Sequence, residues 1–315
     1  MTTVNIALFC DALIEDEYLN AITSLNQFKL TGYWASAPIG RLEKLEIPYF
    51  ANQEVLIDRV DAIVLALPAA QQFEIAKATI KNCKHLYIEK PFTSNIDQVD
   101  LLLSMQREAD VKIQLGAGLR LNEGYLKSNQ TPLKPHYLET QNLRSSGIDT
   151  SVVLDMMIHD IDIILQLTRS EVRKISAHAV CVYNDTPDMV NARIEFGNGC
   201  VASLTANRLA KIPLHTLQAF QKNKATTINF LSSNYPLPDE NLQRSILEGT
   251  NLDNNQSSSP ESTLNRQLHI VQNLISFYES ITQNSVPPIT LNDGYKALKI
   301  AYQIIDKIEE RQMES

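Results

Sequence analysis

The sequence predicts an α/β chain in two parts, a doubly wound parallel sheet followed by an α+β domain with an open, mostly antiparallel sheet. Three observations predict it. Strand-like and helix-like segments alternate through the first third, which implies right-handed βαβ units. DAIVLALP (61–68) is a continuous apolar run closed by Pro68, as a strand covered on both faces requires. From about residue 120 the alternation gives way to successive strands, and FGNGC between two of them carries the Asn-Gly of a tight hairpin. Residues 1–118 therefore read as a Rossmann-like, dinucleotide-binding-type domain and 119–315 as the α+β domain.

In chain order, VNIALF reads as a strand, IEDEYLNAITSLNQF as an amphipathic helix and KLTGYWAS as a strand. After DAIVLALP come helix AAQQFEIAKATIKNC, strand HLYIEKP, helix NIDQVDLLLSMQREA and strand VKIQLGAG. The second part opens with one strong helix, SVVLDMMIHDIDIILQL, followed by VRKISAHAVCVYN, MVNARIEFGNG, CVASLTANRL, HTLQAFQ and ATTINFL as strands. GTNLDNNQSSSPES (249–262) is polar and of low complexity, and is expected to be mobile. Two helices close the chain, RQLHIVQNLISFYESIT and GYKALKIAYQIIDKIEE; the last, over 291–310, is expected to pack back near the first domain.

Composition narrows the partners. An apolar fraction of 44%, a charged fraction of 20% and a net charge of -8 describe a globular protein with no basic face for nucleic acid or anionic membrane. No apolar run approaches the length of a membrane span, and the N-terminus lacks the basic leader of a signal peptide. The four cysteines, Cys10, Cys83, Cys181 and Cys200, form no CxxC pair, so free thiols in a cytoplasmic protein are expected and no metal site.

Two stretches carry candidate chemistry. IEKP (88–91) lies at the carboxyl end of a parallel strand, the edge where open α/β sheets bind ligands, so Lys90 projects there and Pro91 follows it. In SVVLDMMIHDIDIILQL, Asp155, His159 and Asp162 fall at i, i+4 and i+7 on one stripe of an otherwise apolar helix, with Asp160 the exception elsewhere. Ionisable groups on a buried helix need partners. The stripe is open to three readings: carboxylates that merely hydrogen-bond His159 and backbone, a general acid/base site, or a divalent metal site.

Taken together, the order DAIVLALP, HLYIEKP, the DxxxHDxD helix and the FGNGC hairpin sheet resembles the Gfo/Idh/MocA oxidoreductases, over nearly the whole chain and including the closing PPITLNDGYKALKIAYQII. SSGIDTSVVLDMMIHDIDIIL is similar to the branch acting on nucleotide sugars. The resemblance implies NAD or NADP as cofactor, with Leu67, Pro68, Glu89, Lys90 and Pro91 along it. It implies a sugar or nucleotide-sugar ligand met by Arg120, Asp155 and Asp162, and a homodimer or homotetramer built on the open sheet face. Lys90 would sit between nicotinamide and substrate hydroxyl, His159 would exchange the hydroxyl proton, and Asp155 would position substrate and the Lys90 ammonium. Hydride would pass from the carbinol carbon to the nicotinamide.

The chain departs from that family at the first turn. The positions of the G-x-G-x-x-G glycines hold Cys10, Ala12 and Glu15, and Asp11, Asp16 and Glu17 crowd the same helix N-terminus. The first two glycines serve a tight turn and the close approach of backbone to pyrophosphate. Two like charges 4 Å apart repel by roughly 4 kcal/mol at an effective dielectric of 20, nearly three decades of affinity. Ala35 stands where an acid would bind the ribose, and Gln72 where the family has a histidine. Two readings follow. One is an oxidoreductase with weakened or altered dinucleotide binding, favoured by the intact Lys90, Asp155 and His159. The other is a non-catalytic relative, a sugar- or nucleotide-binding protein or partner subunit, favoured by the missing glycines. A metal-dependent lyase or hydrolase using Asp155, His159 and Asp162 is a third.

Overall fold

The computed structural model describes residues 2–11, 15–89, 92, 95–116, 118–129, 133–145, 151–183, 185–231 and 260–314. Two compact units emerge, Met1–Ala117 with Tyr235–Asn292, and Gly118–Asn234 with Asp293–Ser315. No helix among the described residues is long and apolar enough to cross a membrane.

In the first unit the described strands are β1 (Val4–Cys10), β2 (Phe28–Trp34), β3 (Ala62–Ala66), β4 (His85–Ile88) and β5 (Ile113–Leu115). They form a parallel sheet in the order β2-β1-β3-β4-β5. Every residue of β3 is buried, which accounts for its unbroken apolar sequence. Helices α1 (Glu15–Thr23), α2 (Gly40–Lys44), α3 (Gln53–Asp58), α4 (Ala69–Lys81) and α5 (Ile96–Ala109) fall between the strands. Asn95 caps α5 by accepting from the backbone N–H of Asp97 and Gln98 at 2.9 and 3.2 Å.

One face of this sheet is covered from a distance in sequence. Helix α8 (Pro260–Thr282) places Leu268, Val271, Leu274 and Phe277 in the same core as Ile6, Leu8, Cys10, Tyr18, Ile22 and Tyr87. The simple split after residue 118 thus gives way to a chain that returns to its first unit. The low-complexity segment falls outside the described residues up to 259.

The second unit opens with α6 (Glu123–Ser128) and holds β6 (Tyr137–Ser145), β7 (Val172–Val180), β8 (Met189–Phe196), β9 (Val201–Asn207), β10 (Leu209–Gln221) and β11 (Lys224–Asn229). Their order is β11-β10-β6-β9-β8-β7, antiparallel except where β6 runs parallel to β9. The β8–β9 hairpin turns through Gly199 at φ 86°, a backbone that favours glycine. A π-helical turn (Val153–Met157) runs into α7 (Ile158–Thr168), and both lie on the inner face of the sheet with Met156, Ile161, Ile164, Leu204 and Leu217 in one core. Helix α9 (Leu291–Glu314) adds Ala297, Ile300, Ala301, Ile304 and Ile308 to that core. So α8, rather than the closing helix, supplies the C-terminal chain packed into the first core.

β6 was not expected from sequence. It is a central strand whose inward residues are Leu138, Thr140 and Asn142, so only one of the three is apolar and the alternation is hidden.

Candidate active site

The DxxxHDxD segment is not a uniform α-helix. Asp155 sits in the π-helical turn and His159 in the first turn of α7, so one widened turn separates them. Such turns are uncommon and concentrate at functional sites. Asp155 is half-buried, and its carboxylate accepts from Arg144 at the end of β6 at 3.0 Å. His159 is likewise half-buried.

The other two acids of the motif are committed elsewhere. Asp162 accepts from Arg120 Nε at 3.0 Å and Nη2 at 2.7 Å, with both side chains buried. Asp293 lies 3.4 Å from the same guanidinium. Burial works against the Arg120 charge, but Asp162 and then Asp293 outweigh it and raise its pKa above the usual value. Nearby Tyr125 is pushed up to about 12, mainly by burial. Asp160 meets His215 Nε2 at 2.9 Å. Arg120 and Asp162, both expected on the substrate side, are therefore each other's partners. A metal reading of the stripe loses a ligand, because Asp162 is gripped through both oxygens.

In the first unit the carboxyl edge of the sheet is closely organised. Cys10 pairs in register with Ala66, so β1 and β3 end level, and Leu67 and Pro68 lead into α4. Cys10 is fully buried. Gln72 is also buried, and its amide donates to Leu67 O at 2.7 Å and Glu89 O at 3.1 Å, tying the end of β3 to the end of β4. Its Oε1 is buried with no hydrogen-bond partner among the described residues. A neutral imidazole has one N–H and could not hold both carbonyls.

The Glu89 carboxylate accepts from Tyr18 of α1 and, at 3.0 Å, from Tyr87 of β4. Burial, then the Glu89 charge, holds both phenols well above the ordinary tyrosine pKa. Gly116 lets this carboxylate in, since a Cβ there would stand 2.9 Å from Glu89 Oε1. Lys90, Pro91 and Ala12 lie outside the described residues. Glu15 opens α1, and Ala35 is buried just past β2.

These two groups of residues lie on domains that match one known family in the same order. The oxidoreductase family model described as the Gfo/Idh/MocA NAD-binding Rossmann fold matches residues 11–117, and the Gfo/Idh/MocA C-terminal domain matches residues 128–221. The chain belongs to the Gfo/Idh/MocA oxidoreductase family.

A UDP-N-acetylglucosamine 3-dehydrogenase of Acidithiobacillus ferrooxidans is 30% identical over 188 residues, which span 58% of this chain and 60% of that enzyme, less than two thirds of its length. A solved structure of the enzyme of that name from the same organism has a TM-score of 0.82 at 21% identity, over 98% of this chain and 99% of that one. A scyllo-inositol dehydrogenase of Lactobacillus casei, solved with NAD(H) and scyllo-inositol, has a TM-score of 0.75 at 17% identity, with 98% of each chain covered. At these identities the structural likeness is one of fold.

Within the Gfo/Idh/MocA frame, sequence reasoning missed several neighbours of its candidates: Arg144 on Asp155, Tyr18 and Tyr87 on Glu89, Asn142 under the π-helical turn and His215 under Asp160 of α7. Arg144, Asn142 and His215 lie on strands, and no local period points a strand residue at a particular helix residue. Tyr18 reads as one more residue of an amphipathic helix.

Proposed function

We propose that this Gfo/Idh/MocA protein is an NAD(P)-dependent oxidoreductase acting on a hydroxyl of a sugar or nucleotide sugar, with an altered grip on the dinucleotide. The observation that carries the reading is the π-helical turn, with Asp155 and His159 half-buried at and just after it while Asp160 and Asp162 are fully buried and paired inside. An acid/base group needs access to its substrate, and it needs a scaffold that holds it still. The UDP-N-acetylglucosamine 3-dehydrogenase likeness supports a nucleotide-sugar hydroxyl as the reacting group.

The fit to a dinucleotide differs between its two ends. The level ends of β1 and β3, with the Leu67 and Glu89 carbonyls fixed by Gln72, suit the nicotinamide half. The first turn suits a diphosphate poorly, because fully buried Cys10 and then Asp11 stand where backbone alone is wanted. Leu67, Pro68, Glu89, Lys90 and Pro91 would hold a nicotinamide dinucleotide, which would supply a hydride acceptor. His159 takes the proton of the substrate hydroxyl, Asp155 orients the sugar, and the Lys90 ammonium favours the developing alkoxide. The open face of the second sheet serves a homodimer or homotetramer.

The glycine-free turn is the one observation that favours a non-catalytic relative. Incubating the protein with NAD+ or NADP+ and UDP-N-acetylglucosamine or an inositol, and following nicotinamide reduction, separates the two. Turnover that His159→Ala lowers by about 10²–10⁴-fold is expected, the usual worth of a general acid/base. No turnover, with calorimetry showing no dinucleotide binding, would establish the non-catalytic alternative.

A further inference from the structure

The inner face of the second sheet is mostly apolar, yet beyond Thr140 two larger polar side chains stand side by side on it. Asn142 of β6 and His215 of β10 are direct register partners, and both turn toward the helix packed above them. The Asn142 amide donates to Met156 O at 3.1 Å. His215 Nε2 meets Asp160 Oδ1 at 2.9 Å, with the Phe230 ring packed 5.0 Å from the imidazole. The spacing of these two anchor points is what matters. Met156 follows Asp155 by one residue, and Asp160 follows His159 by one residue. The sheet thus grips the backbone immediately after one candidate group, and a side chain immediately after the other, across the junction of the π-helical turn and α7.

A π-helical turn has one more residue than the α-helical turn it replaces, and the two forms rotate the following side chains differently. Left to its own backbone, the segment would favour the α-helical form, since π turns are rare. An amide donor fixed at Met156 O and an imidazole fixed on Asp160 choose between them, because sliding by one residue would detach both. Tying the helix to the sheet for stability alone would not require two polar groups at adjacent register positions in an apolar face, where each must find a partner or be penalised for burial.

We propose that Asn142 and His215 are positioning residues that hold the π-helical turn in register and so present Asp155 and His159 together to the substrate. The inference rests on the oxidoreductase reading for what the presented groups do, and on the geometry alone for how they are presented.

The test uses the full chain, with the histidine rings observed by NMR and the His159 signal assigned from His159→Gln. In His215→Leu the His159 ring signal is expected to shift or split while those of His85 and His269 in the first unit stay put. With the sugar substrate that the wild type oxidises, kcat should fall about 10- to 100-fold, the usual penalty of a misplacement near 1 Å, with KM nearly unchanged. His215→Gln, which keeps a donor for Asp160, should restore both. A folded His215→Leu with the wild-type His159 signal and kcat overturns the proposal. Should His215→Leu fail to fold, Asn142→Asp keeps the shape and removes the donor, and an unmoved His159 signal there overturns it equally. A wild type inactive on every sugar tested defeats the oxidoreductase reading, while the NMR comparison still decides the positioning.

Discussion

Arg120 holds Asp162 through two hydrogen bonds, 2.7 and 3.0 Å long, with both side chains buried. The pair is bidentate, the geometry in which guanidinium and carboxylate interact most strongly. It is buried within the motif that also carries His159, so it anchors that helix.

Removing one partner should expose the strength of that anchor. Arg120→Met strands the Asp162 carboxylate, and a broken buried pair costs about 3–5 kcal/mol. Urea unfolding should show a loss of that size. The double variant Arg120→Met/Asp162→Leu should recover most of it, since no buried charge then lacks a partner. A double variant as unstable as the single one would mean that the pair contributes something beyond satisfying its own charges.

His85 should make the first unit acid-sensitive. Its Nδ1 accepts the Lys112 backbone N–H at 3.0 Å, which demands an unprotonated nitrogen. Burial, then the Lys112 charge, lowers its pKa below the ordinary 6.5. The unfolded chain therefore binds the proton more readily than the native one, so this contribution is complete above pH 6.5 and is lost as pH falls below it. Stability measured across that range should decline less steeply in His85→Asn, whose carbonyl can still accept the bond. Equal slopes in the two proteins would remove His85 from the account.

The first turn should govern dinucleotide affinity. Replacing Asp11, Ala12 and Glu15 with glycine removes two acids and restores backbone freedom between β1 and α1. Calorimetric titration with NADH should then show binding at least about tenfold tighter, since one relieved contact between like charges is worth more than the 1.4 kcal/mol that a decade requires. Micromolar binding by the wild type, unimproved in the triple variant, would show that the phosphates avoid this turn or tolerate its charge.

Several features were legible in the sequence because they are local. The apolar run 61–68 reports a strand buried on both faces, and Ala62–Ala66 within it form one. FGNGC reports a hairpin, and Gly199 turns it at φ 86°. The strand end at Glu89 and the acid-rich helix of DxxxHDxD needed only periodicity and composition, and with the order of elements they sufficed to mark the family.

Only the tertiary structure decided what each polar group touches. Spacing put Asp162 on a stripe with His159, but its partner Arg120 lies 42 residues away in sequence. His215 is 55 residues from Asp160, and α8 crosses more than 240 residues to pack on β1 and more than 170 to pack on β4. The strand β6 was hidden for a related reason, because Thr140 and Asn142 face inward where alternation leads one to expect apolar residues, and Asn142 is there to meet a carbonyl of the helix above it. Periodicity records which face of a segment avoids water. It carries no information on which distant group satisfies a buried charge or amide, and burial makes that satisfaction obligatory.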